Sequence, residues 1–343
     1  MKSIYDLSFN DISDVLRSWK EPDYRSLQLW QGLYKHFWNT ALEFSQFSKP
    51  LRESLFNEYS FHDLEVIKKE VSSDGMTEKV LFKLADDYKI ETVLMEYKKR
   101  QTICVSTQSG CPAGCVFCAT GQMGFNRNLS IGEIVSQVLY YSRYLDGIGK
   151  KLTNVVLMGM GEPFLNYANT LSAVARLNDP RGYNFGSRRF TISTVGILPK
   201  LQIFISEKHH INLAISLHSI DDEIRSRLLP ITKNYSVKNL LEICKQYTTA
   251  TGRRISFEWA MINGINDSEI DAKSLARLLH GMNCHVNIIP LNATIKYLGK
   301  ASPREKLYDF RDILVHNGIK CTIRLHRGID IGAGCGQLAE RNI

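Results

Sequence analysis

The chain has no histidine between His62 and His209, yet that stretch holds four of its eight cysteines: Cys104, Cys111, Cys115 and Cys118. A local zinc site of three cysteines and one histidine therefore lacks its fourth donor. No apolar run approaches the roughly 20 residues that would cross a bilayer. No apolar stretch follows the charge in the opening Met1-Lys2-Ser3-Ile4-Tyr5-Asp6, so no secretory leader is expected there and a cytoplasmic protein is. There is no low-complexity segment and no sequence repeat. Eight cysteines in a reducing compartment argue for metal or redox chemistry rather than a disulfide scaffold.

What remains is a soluble globular composition, 44% apolar and 23% charged. A length of 343 residues suits one large domain and a smaller one. The net charge of +8 is unevenly placed. Residues 1–97 hold 12 Lys/Arg against 17 Asp/Glu, a balance of −5; residues 98–343 hold 31 against 18, a balance of +13. The basic surplus thus belongs to the part that carries the cysteines. It suits a polyanionic substrate, although a merely solvated basic surface would have the same composition.

Cys111, Cys115 and Cys118 sit in Gly110-Cys111-Pro112-Ala113-Gly114-Cys115-Val116-Phe117-Cys118, a C-x3-C-x2-C spacing. Three thiolates on one tight loop hold three corners of a cubane iron–sulfur cluster and leave the fourth iron open to a ligand, whereas clusters that only carry electrons are usually closed by four cysteines. Cys104 as a fourth ligand is the competing reading, as are a zinc site and three inert buried cysteines. The spacing resembles that of the radical S-adenosylmethionine enzymes.

Residues 1–60 read as helical, with Trp30, Leu33, Tyr34, Phe37 and Trp38 at helical spacing. Asp74-Gly75 marks a hairpin between strands 64–71 and 79–84, and a further strand covers 90–97. From about 101 to 326 strands alternate with helices. The expected strands are 102–106, 154–158, 189–193, 212–216, 256–261, 285–290 and 320–325. The clearest helix follows the cysteine loop, with Ile131, Ile134, Val135, Val138, Leu139 and Leu145 in one stripe and Ser130 with Glu133 as a capping box. Repeated βα units predict a parallel sheet with working residues at strand C-termini. About six units are too few to close an eightfold barrel, so a partial barrel is expected.

Polar groups cluster at those strand ends. Met158-Gly159-Met160-Gly161-Glu162-Pro163 offers backbone that can approach a ligand and a carboxylate that can accept from an ammonium group. Thr191-Ile192-Ser193-Thr194, Ser216-Leu217-His218 and Pro290-Leu291-Asn292 end three further strands. Singly each reads as a cap or turn; together they converge in such sheets. Near the C-terminus, Cys335 stands among four glycines in Gly328-Ile329-Asp330-Ile331-Gly332-Ala333-Gly334-Cys335-Gly336. That is poor core material and suits a thiol that must be reached and must move. Cys244, Cys284 and Cys321 lie in regular patterns and read as structural.

Taken together, Cys104, the three-cysteine loop, Met158–Pro163, Ser216-Leu217-His218 and Cys335-Gly336-Gln337-Leu338 resemble the RlmN/Cfr family of radical SAM RNA methyltransferases, over nearly the whole chain. The resemblance implies an α/β fold: a partial (β/α)6 radical SAM barrel over 98–343, preceded by a small N-terminal α+β accessory domain over 1–97 that is RNA-binding in character. It implies a [4Fe–4S] cluster on Cys111, Cys115 and Cys118. It places Gly161, Glu162, Ser193, Ser216, Leu217, His218 and Asn292 around S-adenosylmethionine, two molecules of which are used per turnover. It makes Cys335 the thiol methylated first, Cys104 the thiol that resolves the adduct through a disulfide, and Glu91 a general base. The substrate implied is C2 of one adenosine in 23S rRNA and of an adenosine in tRNA, with an external reductant such as flavodoxin or ferredoxin, no membrane, and a monomeric enzyme. Pro163 and Gly124-Phe125-Asn126-Arg127 favour the RlmN branch; Cfr-like methylation of C8 is the alternative. The chemistry accounts for two lone thiols: adenine C2 is an electron-poor sp² carbon that cannot attack a sulfonium methyl, whereas a thiolate can. A non-catalytic RNA-binding module would explain the charge and the cysteine loop, but not Cys335 or the polar strand ends.

Overall fold

The segments that follow residue 100 are short and apolar on both faces, as parallel strands buried under helices must be. The computed structural model describes residues 1–324 and 327–338. Before the barrel, a short pair, β1 (Lys2–Ser3) and β2 (Tyr59–Ser60), ties the N-terminus to helices α1 (Phe9–Ser18), α2 (Tyr24–Tyr34) and α3 (Lys49–Glu58). Residues 35–48, expected to be helical, contain no helix. Phe37 adopts a left-handed φ of +57°, and the following aromatics pack as a loop: Trp38, Phe47, Phe56 and Phe61 all meet the Phe44 ring. Ring-on-ring burial there outweighs helical periodicity.

β3 (Glu65–Val71), β4 (Thr77–Lys83) and β5 (Lys89–Tyr97) form an antiparallel meander, with Asp74-Gly75 in its first turn and Gly75 at φ +68°. β5 then pairs antiparallel with β6 (Arg100–Cys104), so these strands extend the barrel sheet itself. A small separate ribbon, β7 (Gln108–Gly110) with β8 (Phe125–Asn128), closes the cysteine loop around α4 (Ala119–Gln122).

Six helical crossovers follow. They run through α5 (Ile131–Gly147) to β9 (Asn154–Leu157), α6 (Tyr167–Leu177) to β10 (Phe190–Thr194), and α7 (Leu198–Ser206) to β11 (Asn212–Ser216). Then α8 (Asp222–Leu228) and α9 (Val237–Thr251) lead to β12 (Ile255–Met261), α10 (Glu269–Leu279) to β13 (Cys284–Pro290), and α11 (Arg304–His316) to β14 (Cys321–Ile323). Spatial order equals chain order from β6 to β14, and every pair is parallel. Each crossover therefore steps one place in the same direction, as right-handed βα units do. The result is the partial barrel expected. Leu325, at the end of the last expected strand, lies outside the described residues.

α5 shows why the frame is firm. Ser130 Oγ accepts from the Glu133 N–H and Glu133 accepts from the Ser130 N–H, the expected capping box. Ile134, Val135, Val138, Leu139 and Leu145 are buried, each contributing roughly 1.5–3 kcal/mol. Among the described residues no helix is long and apolar enough to cross a membrane.

Candidate active site

A cavity of about 210 Å³ lies inside the curl of the sheet, lined by residues from β5 round to β13 and by the segment carrying Cys335. All three loop cysteines line it. The loop is shaped by backbone bonds: the Cys111 N–H donates to the Gly124 carbonyl at 2.7 Å, Cys118 N–H to Cys115 at 3.2 Å, and Val116 N–H to Leu228 at 3.1 Å. Burial raises all three thiols, Cys111 to about 12 and Cys115 well above the ordinary range, while the N–H groups near Cys118 (Thr120, Gly121) and Cys111 (Ala113) pull the other way. Desolvated thiols of this kind ionise when a cation takes the charge.

Among the described residues no three His, Cys, Asp or Glu side chains converge tightly enough to hold one metal ion. A cubane asks for less, because each thiolate takes a different iron. Three thiols on one loop, facing one cavity and supported by backbone N–H groups, fit such a cluster.

The strand ends supply the next ring. Gly161 sits at φ +105°, and a Cβ there would fall 2.6 Å from the Gln108 side chain, so only glycine permits this approach. Gln108 in turn accepts from the Glu162 N–H at 2.8 Å. The Glu162 carboxylate accepts from the Phe164 N–H at 3.0 Å and the Val195 N–H at 2.9 Å. It lines the cavity, and burial raises it to about 7. A bound ammonium group would draw it back down. Ser193 and Ser216 hydroxyls stand 3.4 Å apart on adjacent strands. Asn292 donates to the Cys335 carbonyl at 2.9 Å, while its Oδ1 is buried without a partner among the described residues, an acceptor left for a ligand.

His218 is held in a left-handed φ of +58°, unusual for a side chain of its size. Its Nδ1 accepts from the Ala260 N–H at 2.9 Å, so the proton sits on Nε2. Burial and the Arg225 charge lower it to about 3, so it is neutral. Unfolded chain takes up this proton from about pH 6.5 downward and the folded chain does not, so stability falls as pH drops through that window. From pH 7 to pH 5 the loss attributable to His218 is about 2 kcal/mol. Urea unfolding at the two values, for parent and His218→Gln, should show the variant losing that much less; equal losses would contradict it.

Two residues that the sequence reading passed over fix this region. Asn266 is 1% exposed. Its Nδ2 donates to the His218 carbonyl at 2.6 Å and the Ala260 carbonyl at 2.8 Å, and its Oδ1 accepts from the Ile262 N–H at 2.7 Å. Arg225, also 1% exposed, donates to the carbonyls of Leu217, Val195 and Ser216. No local signal in the sequence marks either as buried. Asn266→Ala strands several buried polar groups and should cost roughly 2–5 kcal/mol. A urea midpoint that does not move would show that the strained His218 backbone does not depend on it.

Cys104, at the end of β6, and Cys335 both line the cavity. Each is raised by burial, Cys104 to about 12, with the Arg324 guanidinium lowering both and the Cys335 charge adding to the rise at Cys104. Cys335 is exposed and lines the cavity. Its loop rests on the cysteine loop, the Ala119 N–H donating to the Gly336 carbonyl at 2.7 Å and Thr120 Oγ1 to Leu338 at 3.2 Å. Arg324 is steadied by Glu258 at 3.6 Å, which accepts from Asn287 at 2.8 Å.

Two expected residues are not brought to the cavity. Leu217 is fully buried and offers only backbone, its N–H bonded to Glu258 and its carbonyl to Arg225. Glu91 shares a strand face with Val93 and Met95 but lies deeper, in a buried ion pair with Lys79 at 3.0 Å. Its backbone N–H faces Met160 Sδ at 3.4 Å.

Residues 105–274 match the model of the radical SAM superfamily. A Dictyoglomus turgidum protein named probable dual-specificity RNA methyltransferase RlmN is 42% identical over 98% of this chain and 97% of its own length. Dual-specificity RNA methyltransferase RlmN 1 of Myxococcus xanthus is 44% identical over 98% of this chain and 94% of its own. The crystal structure of a radical SAM methyltransferase from Sphaerobacter thermophilus, 41% identical, matches with a TM-score of 0.97 over 99% of this chain and 100% of that one.

Proposed function

Because the chain belongs to the RlmN family of radical SAM RNA methyltransferases, we propose that it methylates C2 of adenosine 2503 in 23S rRNA and of adenosine 37 in tRNA. The observation that carries this reading is the meeting of Cys104 and Cys335, remote in sequence, in the cavity that also holds the three-cysteine loop. The family implies a [4Fe–4S] cluster and S-adenosylmethionine; Cys111, Cys115 and Cys118 would hold the cluster. When bound, it supplies the electron, drawn from an external flavodoxin or ferredoxin, that cleaves S-adenosylmethionine.

The chain's own residues have distinct parts in this proposal. Glu162 and Asn292 Oδ1 orient the cofactor through its polar groups, with the Nε2–H of His218 as a donor beside them. Arg324 stabilises whichever of the two thiols is ionised. Cys335 carries a methyl group from one S-adenosylmethionine and presents it to the base. Cys104 attacks the Cys335 sulfur once the new carbon–carbon bond exists, forming a disulfide and freeing the methyladenosine. The C2 proton must also leave. Of the two bases the family resemblance implies, Cys104 faces the cavity and Glu91 is held by Lys79. Residues 1–97 serve as the accessory unit and 98–343 as the catalytic one.

Nucleoside mass spectrometry tests this. Purified enzyme with 23S rRNA, S-adenosylmethionine and reductant should yield 2-methyladenosine. A methyl group at C8 would move the protein to the Cfr-like branch, and no methylated adenosine would overturn the reading.

A further inference from the structure

We propose that the turn joining β5 to β6, Lys98-Lys99, together with Arg100 at the start of β6, Tyr97 and Arg327, is a basic rim that grips the RNA backbone beside the target nucleotide. This rests on the RNA-methylating reading above and adds where the RNA is held.

The cavity has two ends. At the end where the parallel strands terminate, the cysteine loop crosses over it. That loop is bonded to the segment after β13 through Gln122 Nε2 and Thr294 Oγ1 at 2.9 Å, and to the Cys335 segment through Ala119 and Gly336 at 2.7 Å. A large substrate has little access there. At the other end stand Tyr97 and Arg327, both lining the cavity. Along β5 and β6, Val93 pairs with Cys104 and Tyr97 with Arg100. Four residues of strand, about 13 Å, therefore separate the resolving thiol from the rim.

The rim's chemistry suits a phosphodiester. Lys98, Lys99 and Arg100 are all exposed. Among the described residues none of these three, nor Arg327, has a carboxylate within ion-pair distance; the nearby Glu96 is taken by Lys150. The Arg100 and Arg327 guanidiniums lie 4.4 and 4.3 Å from the centre of the same Tyr97 ring, which holds their positions without neutralising their charge. Arg327 donates through Nη1 to the Glu96 carbonyl at 3.0 Å, but its Nε is buried with no partner in the described residues. A buried guanidinium N–H with no partner in the described residues, beside three cations without a carboxylate partner at the mouth of the cavity, points to an anionic ligand that arrives from outside. An acidic electron donor is also an anion, but it must reach the cysteine loop, which lies at the far end.

The test uses the full-length enzyme with its cluster and an in vitro transcript of 23S rRNA. Replacing Lys98, Lys99 and Arg100 together by Ala removes three exposed charges. RNA affinity should fall about 100-fold at about 0.1 M salt, and the slope of log affinity against log salt should become shallower by about 2. Lys98→Glu with Lys99→Glu, which leaves the strands untouched, should weaken binding further. Iron content and melting temperature of both variants identify any loss caused by misfolding. Unchanged affinity and slope in correctly folded variants, with the parent still methylating RNA, would overturn the rim alone. Unchanged RNA affinity with slower reduction by flavodoxin would assign the turn to the electron donor and overturn it as well. A parent that methylates no RNA would overturn the reading on which it stands.

Discussion

Cys104→Ala enzyme, incubated with RNA, S-adenosylmethionine and reductant, should accumulate covalently joined to its RNA through Cys335. The variant keeps Cys335 and the whole cysteine loop, so the steps that attach Cys335 to the base remain available. What it lacks is the thiolate that attacks the Cys335 sulfur. Cys104 is the cavity-lining cysteine outside the loop that stands with Cys335 beside Arg324, and Cys244, Cys284 and Cys321 line no part of this cavity. Product release should fall to near zero after one adduct per enzyme. The link is a thioether, so it should survive reducing agents that open disulfides. A denaturing gel after RNase digestion, followed by peptide mass spectrometry, should find an adenosine-bearing Cys335 peptide. The competing use of Cys104, as a fourth ligand to the cluster, gives altered iron content and no adduct. A variant that keeps its iron and still turns over many RNA molecules would remove Cys104 from the mechanism.

Replacing Cys111, Cys115 and Cys118 together by Ala should abolish iron binding and all cleavage of S-adenosylmethionine. These are the three thiols of one loop, already facing the cavity, and no histidine lies near them in sequence to take over. The folded chain should survive the change, because the loop is also held by bonds from Cys111 N–H to Gly124, Val116 N–H to Leu228 and Ala119 N–H to Gly336, none of which uses a thiol. Iron analysis and the amount of 5′-deoxyadenosine formed measure the two losses. Retained iron with retained cleavage would contradict the assignment of the cluster to this loop.

The residues that sequence made legible are those whose chemistry is rare or whose spacing is local. The Ser130/Glu133 capping box and the Asp74-Gly75 turn are contained within a few residues, and each forms as expected; the three-cysteine loop is equally local, and its thiols line one cavity. Six crossovers could be counted because each strand and helix carries its own periodicity. The stripe from Trp30 to Trp38 misled in its second half for the same reason: its spacing suits a helix, but the chain leaves the helix after Tyr34 and the Trp38 ring joins those that meet around Phe44. Asn266, Arg225 and Arg324 were not legible. Their roles depend on which backbone carbonyls and thiols the fold brings within reach, and only the closed sheet determines that. Glu91 shows the reverse. The family resemblance implies a base there, and the meander sets Lys79 against it beneath the cavity wall.

Cys335 as the carrier of the methyl group is the central element of the proposed mechanism. The measurement is methyladenosine formed in 23S rRNA by Cys335→Ala enzyme, reconstituted with iron and sulfide and supplied with S-adenosylmethionine and reductant. The cysteine loop is intact in this variant, so it should bind its cluster, yet no methylated adenosine should appear. Methyladenosine at the level of the parent enzyme would contradict the thiol-carrier mechanism outright.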